Sequence, residues 1–91
     1  MVPFPELSAE ARRVLRAISD NSIMRGSELM KWTGVRKPDE LLNPLLELHK
    51  YNLIEGAGDV VSDPHKLPFT SFGIRPSNSE YVRLLLRSQL A

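Results

Sequence analysis

Residues 27–54 read SELMKWTGVRKPDELLNPLLELHKYNLI, and this stretch decides the predicted fold. Its apolar spacing predicts a short helix, a tight turn at Gly34 and a longer helix lined with leucines, which ends at Asn52 before a strand. Gly34 suits the turn because glycine readily adopts the left-handed backbone conformation that other residues resist. Two helices joined in this way are typical of a unit that places its second helix against a partner.

Two prolines leave two descriptions of the second helix of this unit. Pro38 fits the first turn of a helix, where its missing N–H costs no hydrogen bond. Asn43 and Pro44 repeat this start signal, with Asn as the cap and Pro at the first helical position. Either the helix is kinked at Pro44, or a single turn over residues 38–42 precedes a main helix that starts at Pro44.

Another amphipathic helix is predicted before this stretch. Ser8 suits its N-cap because the hydroxyl can accept a backbone N–H of the first turn. Residues 20–22, Asp-Asn-Ser, favour the end of this helix. Ile23 and Met24 can then form a very short strand, before the next helix starts near Gly26.

Residues 56–76 are rich in Gly, Pro, Asp and Ser, mixed with β-branched and aromatic side chains, which is the composition of a β-hairpin. Residues 70–74 alternate larger and smaller side chains and predict a half-buried strand, with Phe72 and Ile74 inward. Its partner strand follows the leucine-lined helix. We expect residues 62–68 to form the exposed tip of this hairpin.

Ser77 and Glu80, which follow Pro76, form a capping-box pattern in which each side chain satisfies a backbone N–H at the start of a helix. The last helix then runs from Tyr81 to about Gln89, and its apolar surface is wider than one packing face requires. We expect the excess to be covered by a second copy of the chain or by another protein. The residues assigned to this contact are Tyr81, Leu84 and Leu90.

The predicted core combines the apolar faces of these elements. Trp32 is included because it lies at helical spacing from Leu29, just before the turn; stacking of its ring on nucleic-acid bases is the alternative. Val35 fills the gap between the two helices. The predicted core residues are Val14, Leu15, Ile18, Leu29, Trp32, Val35, Leu45, Leu48, Phe72, Ile74 and Leu85.

The length of 91 residues predicts a single domain over residues 1–91, because a chain of this size buries one small core. Apolar residues make up 42% and charged residues 25%, which is typical of a globular protein and not of a disordered one. The sequence has no cysteine, no signal-peptide pattern and no apolar run near the roughly 20 residues that span a membrane. We therefore expect a cytoplasmic protein without a membrane partner.

Enzymatic activity, cofactors and metal sites are not expected. Only His49 and His65 can shuttle protons near neutral pH, and they lie on different predicted elements without a nucleophile pattern nearby. Neither histidine belongs to a cluster of metal ligands in the sequence, and Gly56 and Gly58 do not form a phosphate-binding loop. The chain is therefore predicted not to be an enzyme, with no catalytic, cofactor-binding or metal-binding residue.

The order of predicted elements (helix, short strand, helix, turn, helix, strand, wing, strand, helix) resembles the winged helix-turn-helix superfamily over essentially the whole chain. The spacing after the turn glycine is longer than usual, Met30 stands where a small residue is typical, and the two prolines are unusual. The resemblance implies an α+β, mostly helical winged helix, with a three-helix helix-turn-helix core, a β-hairpin wing and a C-terminal helix. Its most specific residues are Leu29, Thr33-Gly34-Val35, Leu45, Leu48 and Asn52-Leu53-Ile54.

This resemblance implies a DNA-binding domain of a transcription regulator, with a reader helix that begins near Lys37 in the major groove and a wing that contacts the backbone. Arg or Lys can donate to guanine, and Asn can pair with adenine. The net charge of +1, with interleaved signs, and the acidic Glu40 and Glu47 favour the alternative, a winged-helix protein–protein interaction or dimerisation module without DNA binding. The residues implied as contacts to double-stranded DNA are Arg36, Lys37, Glu40, Asn43, His65 and Lys66.

Overall fold

Residues 6–89 are described by the computed structural model, apart from the side chains of Val61 and Gln89. They form a mostly helical α+β fold with a three-stranded antiparallel sheet, which confirms the predicted class. No helix within this range is both long and apolar enough to cross a bilayer. In chain order the elements are α1 (Ala9–Asn21), β1 (Ile23–Arg25), α2 (Gly26–Thr33), α3 (Asp39–Lys50), β2 (Ile54–Glu55), α4 (Ala57–Ser62), a 3-10 helix (Pro64–Phe69), β3 (Ser71–Ile74), a 3-10 turn (Pro76–Asn78) and α5 (Ser79–Gln89).

α1 begins and ends where the sequence predicts. The Ala11 N–H donates to the Ser8 hydroxyl at 3.2 Å, as expected of an N-cap serine. α1 ends at Asn21, where Ser22 takes a positive φ of 68° and turns the chain into β1. The predicted apolar stripe of α1 is buried, and it consists of Ala11, Val14, Leu15 and Ile18.

β3 is the central strand of the sheet, and both β1 and β2 pair with it in antiparallel order. The register aligns Met24 with Phe72 and Ile54 with Ile74. Alternate residues of a strand point to the same face, and here Met24, Phe72 and Ile54 belong to the buried core. The short strand at Ile23 and the pairing of the strand after α3 are therefore confirmed.

α3 is one continuous helix with Pro44 inside it, so the description with a separate turn over residues 38–42 is wrong. Pro44 removes one backbone N–H from the helix, and the residue is buried on the same side of α3 as Leu41, Leu45 and Leu48. After α3, Asn52 takes the predicted left-handed conformation with φ 57°. The Leu53 N–H can then donate back to the Leu48 carbonyl at 3.1 Å.

The predicted hairpin tip is wrong, because the chain between β2 and β3 forms α4 and the 3-10 helix. Asp63 caps the 3-10 helix by accepting the His65 N–H at 3.1 Å, and the proline that follows Asp63 fits the first helical turn. The apolar residues also follow helical spacing, since Ala57 and Val60 are three residues apart and both are buried. His65 and Lys66, expected at a wing tip, therefore lie on a packed helical segment.

The 3-10 helix lies against the start of α2, and only glycine fits at the point of contact. A Cβ atom on Gly26 would overlap the carbonyl oxygen of Leu67. The Gly26 N–H donates to the Thr70 carbonyl at 2.9 Å, and Leu67 is fully buried. α2 thus begins at a glycine because the chain between α4 and β3 passes directly over it.

Trp32 is 62% exposed, so its assignment to the core is wrong. The buried face of α2 consists of Gly26 and Leu29, flanked by Met30 and Thr33. At 3.6 residues per turn, Trp32 lies about 110° round the helix from the middle of that face, although it is three residues from Leu29. The other predicted core residues are confirmed as buried, or as partly buried and packed against the core in the case of Val35 and Ile74.

α5 starts at Ser79, one residue later than a cap at Ser77 predicts, because the preceding residues form the 3-10 turn. Asn78, in that turn, donates from Nδ2 to the Asn52 carbonyl at 2.7 Å. This hydrogen bond ties the start of α5 to the segment that follows α3. Three residues of α5 are buried, among them Leu85 of the predicted core, and they are Val82, Leu85 and Leu86.

Replacing Gly26 by alanine should destabilise the protein, because the new Cβ must displace the Leu67 carbonyl. Overpacking of this kind costs about 1–3 kcal/mol. Gly58→Ala is the matched control, since a Cβ there meets nothing within 4 Å and alanine favours the helix. Chemical denaturation of both variants measures the difference. A Gly26→Ala protein as stable as the Gly58→Ala protein would contradict the close contact.

Trp32→Ala should change the free energy of unfolding by no more than about 0.5 kcal/mol, as is usual for exposed side chains. Leu29→Ala, on the buried face of the same helix, should cost about 2–5 kcal/mol. Denaturant unfolding compares the two variants. Because Trp32 is the single tryptophan, its fluorescence in the native protein should also be quenched readily by acrylamide. If acrylamide does not quench the fluorescence of the native protein, the Trp32 ring is buried and the exposed position is wrong.

Candidate nucleic-acid interface

The outer face of α3 is the surface that a reader helix would present to DNA. Asp39, Asn43, Leu46 and Lys50 lie within about 30° of the point opposite the buried face of α3, which consists of Leu41, Pro44, Leu45 and Leu48. All four are exposed, Leu46 to 38%. The sequence predicts Asn43 as a DNA contact but not Leu46 or Lys50, although the helical spacing already places Lys50 on the side opposite the leucines.

Two carboxylates beside this face are held by backbone N–H groups. Glu40 accepts the Arg36 N–H through Oε2 at 3.2 Å. Glu47 accepts the Ser8 N–H through Oε2 at 2.8 Å, which links α3 to the start of α1. Both residues lie about a quarter turn from the centre of the outer face. Glu40 therefore braces the turn, and Glu47 braces the packing of α1 on α3.

Arg36 and Lys37 lie exposed in the turn that leads into α3. The salt bridge found among the described residues is a pair on α1, so no acidic partner neutralises either cation. Lys50, at the other end of α3, lies 5.6 Å from the centre of the Tyr51 ring and is exposed. Cations without a salt bridge therefore lie at both ends of the outer face. Asp39 is the negatively charged residue on that face.

His65 and Lys66 are exposed, as predicted, but they belong to a different element from the turn and α3. The 3-10 helix that carries them packs on α2 and α4. The Thr70 hydroxyl donates to the Lys66 carbonyl at 2.7 Å and helps to close this segment. The backbone that carries Lys66 is therefore held in place by hydrogen bonding and packing. Of the predicted site residues, Arg36, Lys37 and Glu40 are instead close together at the turn before α3.

The residues predicted to contact a partner through the last helix differ in exposure. Leu84 is 47% exposed on α5, while Tyr81 is partly buried and packs against the core. Leu90 lies outside the described residues. Leu84 is accordingly the apolar side chain that α5 leaves on the surface in the part of the chain that the structure describes.

Trp32 forms one wall of a groove of about 250 Å³ between α1 and α2. Arg13, Arg16 and Asp20 line the same groove. An exposed aromatic ring beside arginines is an arrangement that can stack on a planar partner. The exposure of Trp32 is compatible with the stacking alternative that the sequence left open.

In the described range, no group of three or more His, Asp or Glu side chains is arranged to hold a metal ion. Comparison of the chain with models of known protein families found no match. Comparison with curated proteins and with solved structures also found none.

Proposed function

We propose that this chain is a winged-helix DNA-binding domain of a transcription regulator, in which α3 enters the major groove. The observation that carries the proposal is the uncovered outer face of α3, with Asn43 near its centre and cations at both ends. The order of helices and strands supports the winged-helix assignment. In this proposal α4 and the 3-10 helix occupy the place of the hairpin wing.

The side chains on and beside the outer face have distinct roles in the proposed complex. Asn43 pairs with an adenine edge, and Leu46 contacts a thymine methyl group. Arg36, Lys37 and Lys50 contact phosphates or guanine, which orients the helix in the groove. Phosphate contacts hold the register and base contacts provide the sequence preference.

The electrostatics favour a modest affinity. The net charge of +1 gives little long-range attraction to DNA. Glu40 and Glu47, two of the acidic residues on α3, are engaged with backbone N–H groups beside the face. These hydrogen bonds hold both carboxylates at the edge of the face but leave their charges in place, so Glu40, Glu47 and Asp39 all oppose the approach of phosphate.

Duplex DNA from a randomised pool should bind the protein at low salt, and binding should weaken as salt rises because counterions are displaced. Lys66→Gln should weaken binding to all sequences alike and lower the slope of log affinity against log salt by about 1. Asn43→Ala should instead relax the preference at one base pair by about 1–3 kcal/mol. Fluorescence anisotropy at micromolar protein, over a range of salt, measures both effects.

Arg83→Gln is the matched control, because Arg83 is an exposed cation on α5, outside the proposed contacts. It should leave the affinity and the salt slope of the parent protein unchanged. Failure of the folded parent to bind any duplex in the pool at low salt would overturn the DNA-binding proposal.

A second candidate function, a protein interaction or dimerisation module, is favoured by the apolar side chains left on the surface. Leu84 is 47% exposed in the last helix, and Leu46 and Tyr51 are each more than a third exposed at α3. Scattered exposed apolar residues are common, but Leu84 lies on the helix whose sequence already predicted a contact. Two copies joined through α5 would also place two α3 helices for a two-fold DNA site.

The protein should form a concentration-dependent dimer through α5. Leu84→Glu should shift it to a monomer, because the carboxylate would be buried without a partner in the interface. Arg83→Gln lowers the net charge by the same one unit at an exposed neighbouring position and serves as the control. Sedimentation equilibrium measures the association of the three proteins. A parent chain that stays monomeric at the highest concentration would exclude the homodimer.

A further inference from the structure

The groove between α1 and α2 is a surface that neither candidate function uses. Four of its residues belong to one face of α1, since they lie three, four and seven positions apart. The floor includes Ala17, which is 5% exposed and has a short side chain. None of the lining residues belongs to the outer face of α3 or to the contact at Leu84. The groove is lined by Arg13, Arg16, Ala17, Asp20, Trp32 and Thr33.

The Trp32 ring is open to a planar partner. The ring is largely exposed, and neither arginine of the groove covers it. In the part of the chain that the structure describes, the cation–π pair found is that of Lys50 with Tyr51. Nucleic-acid bases stack on exposed aromatic rings of this kind, and they do so with little regard to sequence because every base has a π face.

The two arginines provide positive charge beside this ring. Arg13 is exposed and forms no salt bridge among the described residues. Arg16 lies 3.8 Å from Asp20, measured from Nε to Oδ2, but both side chains are more than half exposed. Because exposed pairs contribute little free energy, Arg16 can exchange Asp20 for a phosphate. Two cations about one helical turn apart, next to an aromatic ring, therefore match a partner that is both planar and anionic.

The size of the groove favours a strand of nucleotides over a free nucleotide. Sites that enclose a small molecule usually have volumes of about 300–1,000 Å³, and this groove, at about 250 Å³, is smaller. The groove also continues beyond its own lining, because Arg13 and Thr33 line an adjoining cleft of about 510 Å³ that reaches the turn at Gly34. A strand can therefore place one base on Trp32 and extend its next nucleotide into this cleft.

The adjoining cleft differs from the groove in its charge. Besides apolar residues of α1, the turn and α3, it is lined by the carboxylates of Glu10 and Glu40. Carboxylates repel phosphate, but they accept hydrogen bonds from the amino groups of bases. The cleft thus suits a base, and the attraction for phosphate is strongest at the side with Arg13 and Arg16.

We propose that the groove between α1 and α2 binds single-stranded nucleic acid. One base stacks on Trp32, and the neighbouring phosphates accept charge-assisted hydrogen bonds from Arg13 and Arg16. This site is independent of duplex binding by α3, because the groove shares no residue with the outer face of that helix.

Trp32 is the single tryptophan, so its fluorescence reports directly on the site. DNA and RNA oligomers of about 10 nucleotides, a usual size for single-strand sites, should quench this fluorescence as they bind. Anisotropy of labelled oligomers then gives the affinity of each variant. Trp32→Leu should weaken binding about tenfold or more, because it removes the ring but keeps an apolar side chain. Trp32→Phe keeps an aromatic ring and should bind within a few-fold of the parent.

The charge of the groove is tested separately. Arg13→Gln and Arg16→Gln should each weaken binding and lower the slope of log affinity against log salt by about 0.7, the value per phosphate for single strands. Arg83→Gln, at an exposed cation on α5, is the matched control and should change neither quantity. Asn43→Ala should leave the single-strand affinity unchanged, and Trp32→Leu should leave any duplex affinity unchanged. Failure of one site is therefore distinguishable from failure of the other.

Four results would overturn the proposal: no oligomer binds the folded chain, Trp32→Leu binds like the parent, a mononucleotide binds as tightly as the oligomer, or polyglutamate does. The last result would assign the groove to an acidic protein segment. Circular dichroism melts establish that each variant is folded. If Trp32→Leu does not fold, the two arginine variants carry the test, and unchanged affinity and salt slope in both would equally overturn it.

Discussion

The pairing of β3 with both β1 and β2 fixes the position of everything that lies between those two strands in sequence. β1 leads directly into α2, and β2 follows α3 after a short turn, so the α2–turn–α3 unit is anchored to one strand at its beginning and at its end. Phe72, in the middle of β3, is fully buried opposite Met24. A local helical unit thereby becomes part of one cooperative core, and the outer face of α3 is held in a defined orientation.

Helix caps, turn glycines and apolar periodicity predicted the helices before residue 50 and the strands. These sequence signals work because they depend only on neighbouring residues. They failed at Trp32, where the spacing from Leu29 was compatible with two faces of the helix and only tertiary packing selected the one with Met30. They failed again at residues 57–69, where Asp-Pro, a helix-start signal, was interpreted as a hairpin turn. In both cases a short pattern allowed two structures, and contacts distant in sequence decided between them.

The same limit applies to the candidate sites. The exposure of Arg36, Lys37 and Asn43 could be predicted from the sequence because it follows from the turn and the helix period. The hydrogen bond from Ser8 to Glu47 could not, since it joins residues 39 positions apart. Likewise, Arg13 and Trp32 line one groove only because α1 packs against α2. No sequence pattern connects these two residues.

The two edge strands of the sheet are short, since β1 has three residues and β2 has two. An exposed strand edge can recruit a strand from another chain, and longer, flatter edges do so more readily. Edges as short as these offer an incoming strand only one or two backbone hydrogen bonds, too few to offset the entropy of ordering it. The described sheet is therefore a poor template for amyloid-like growth.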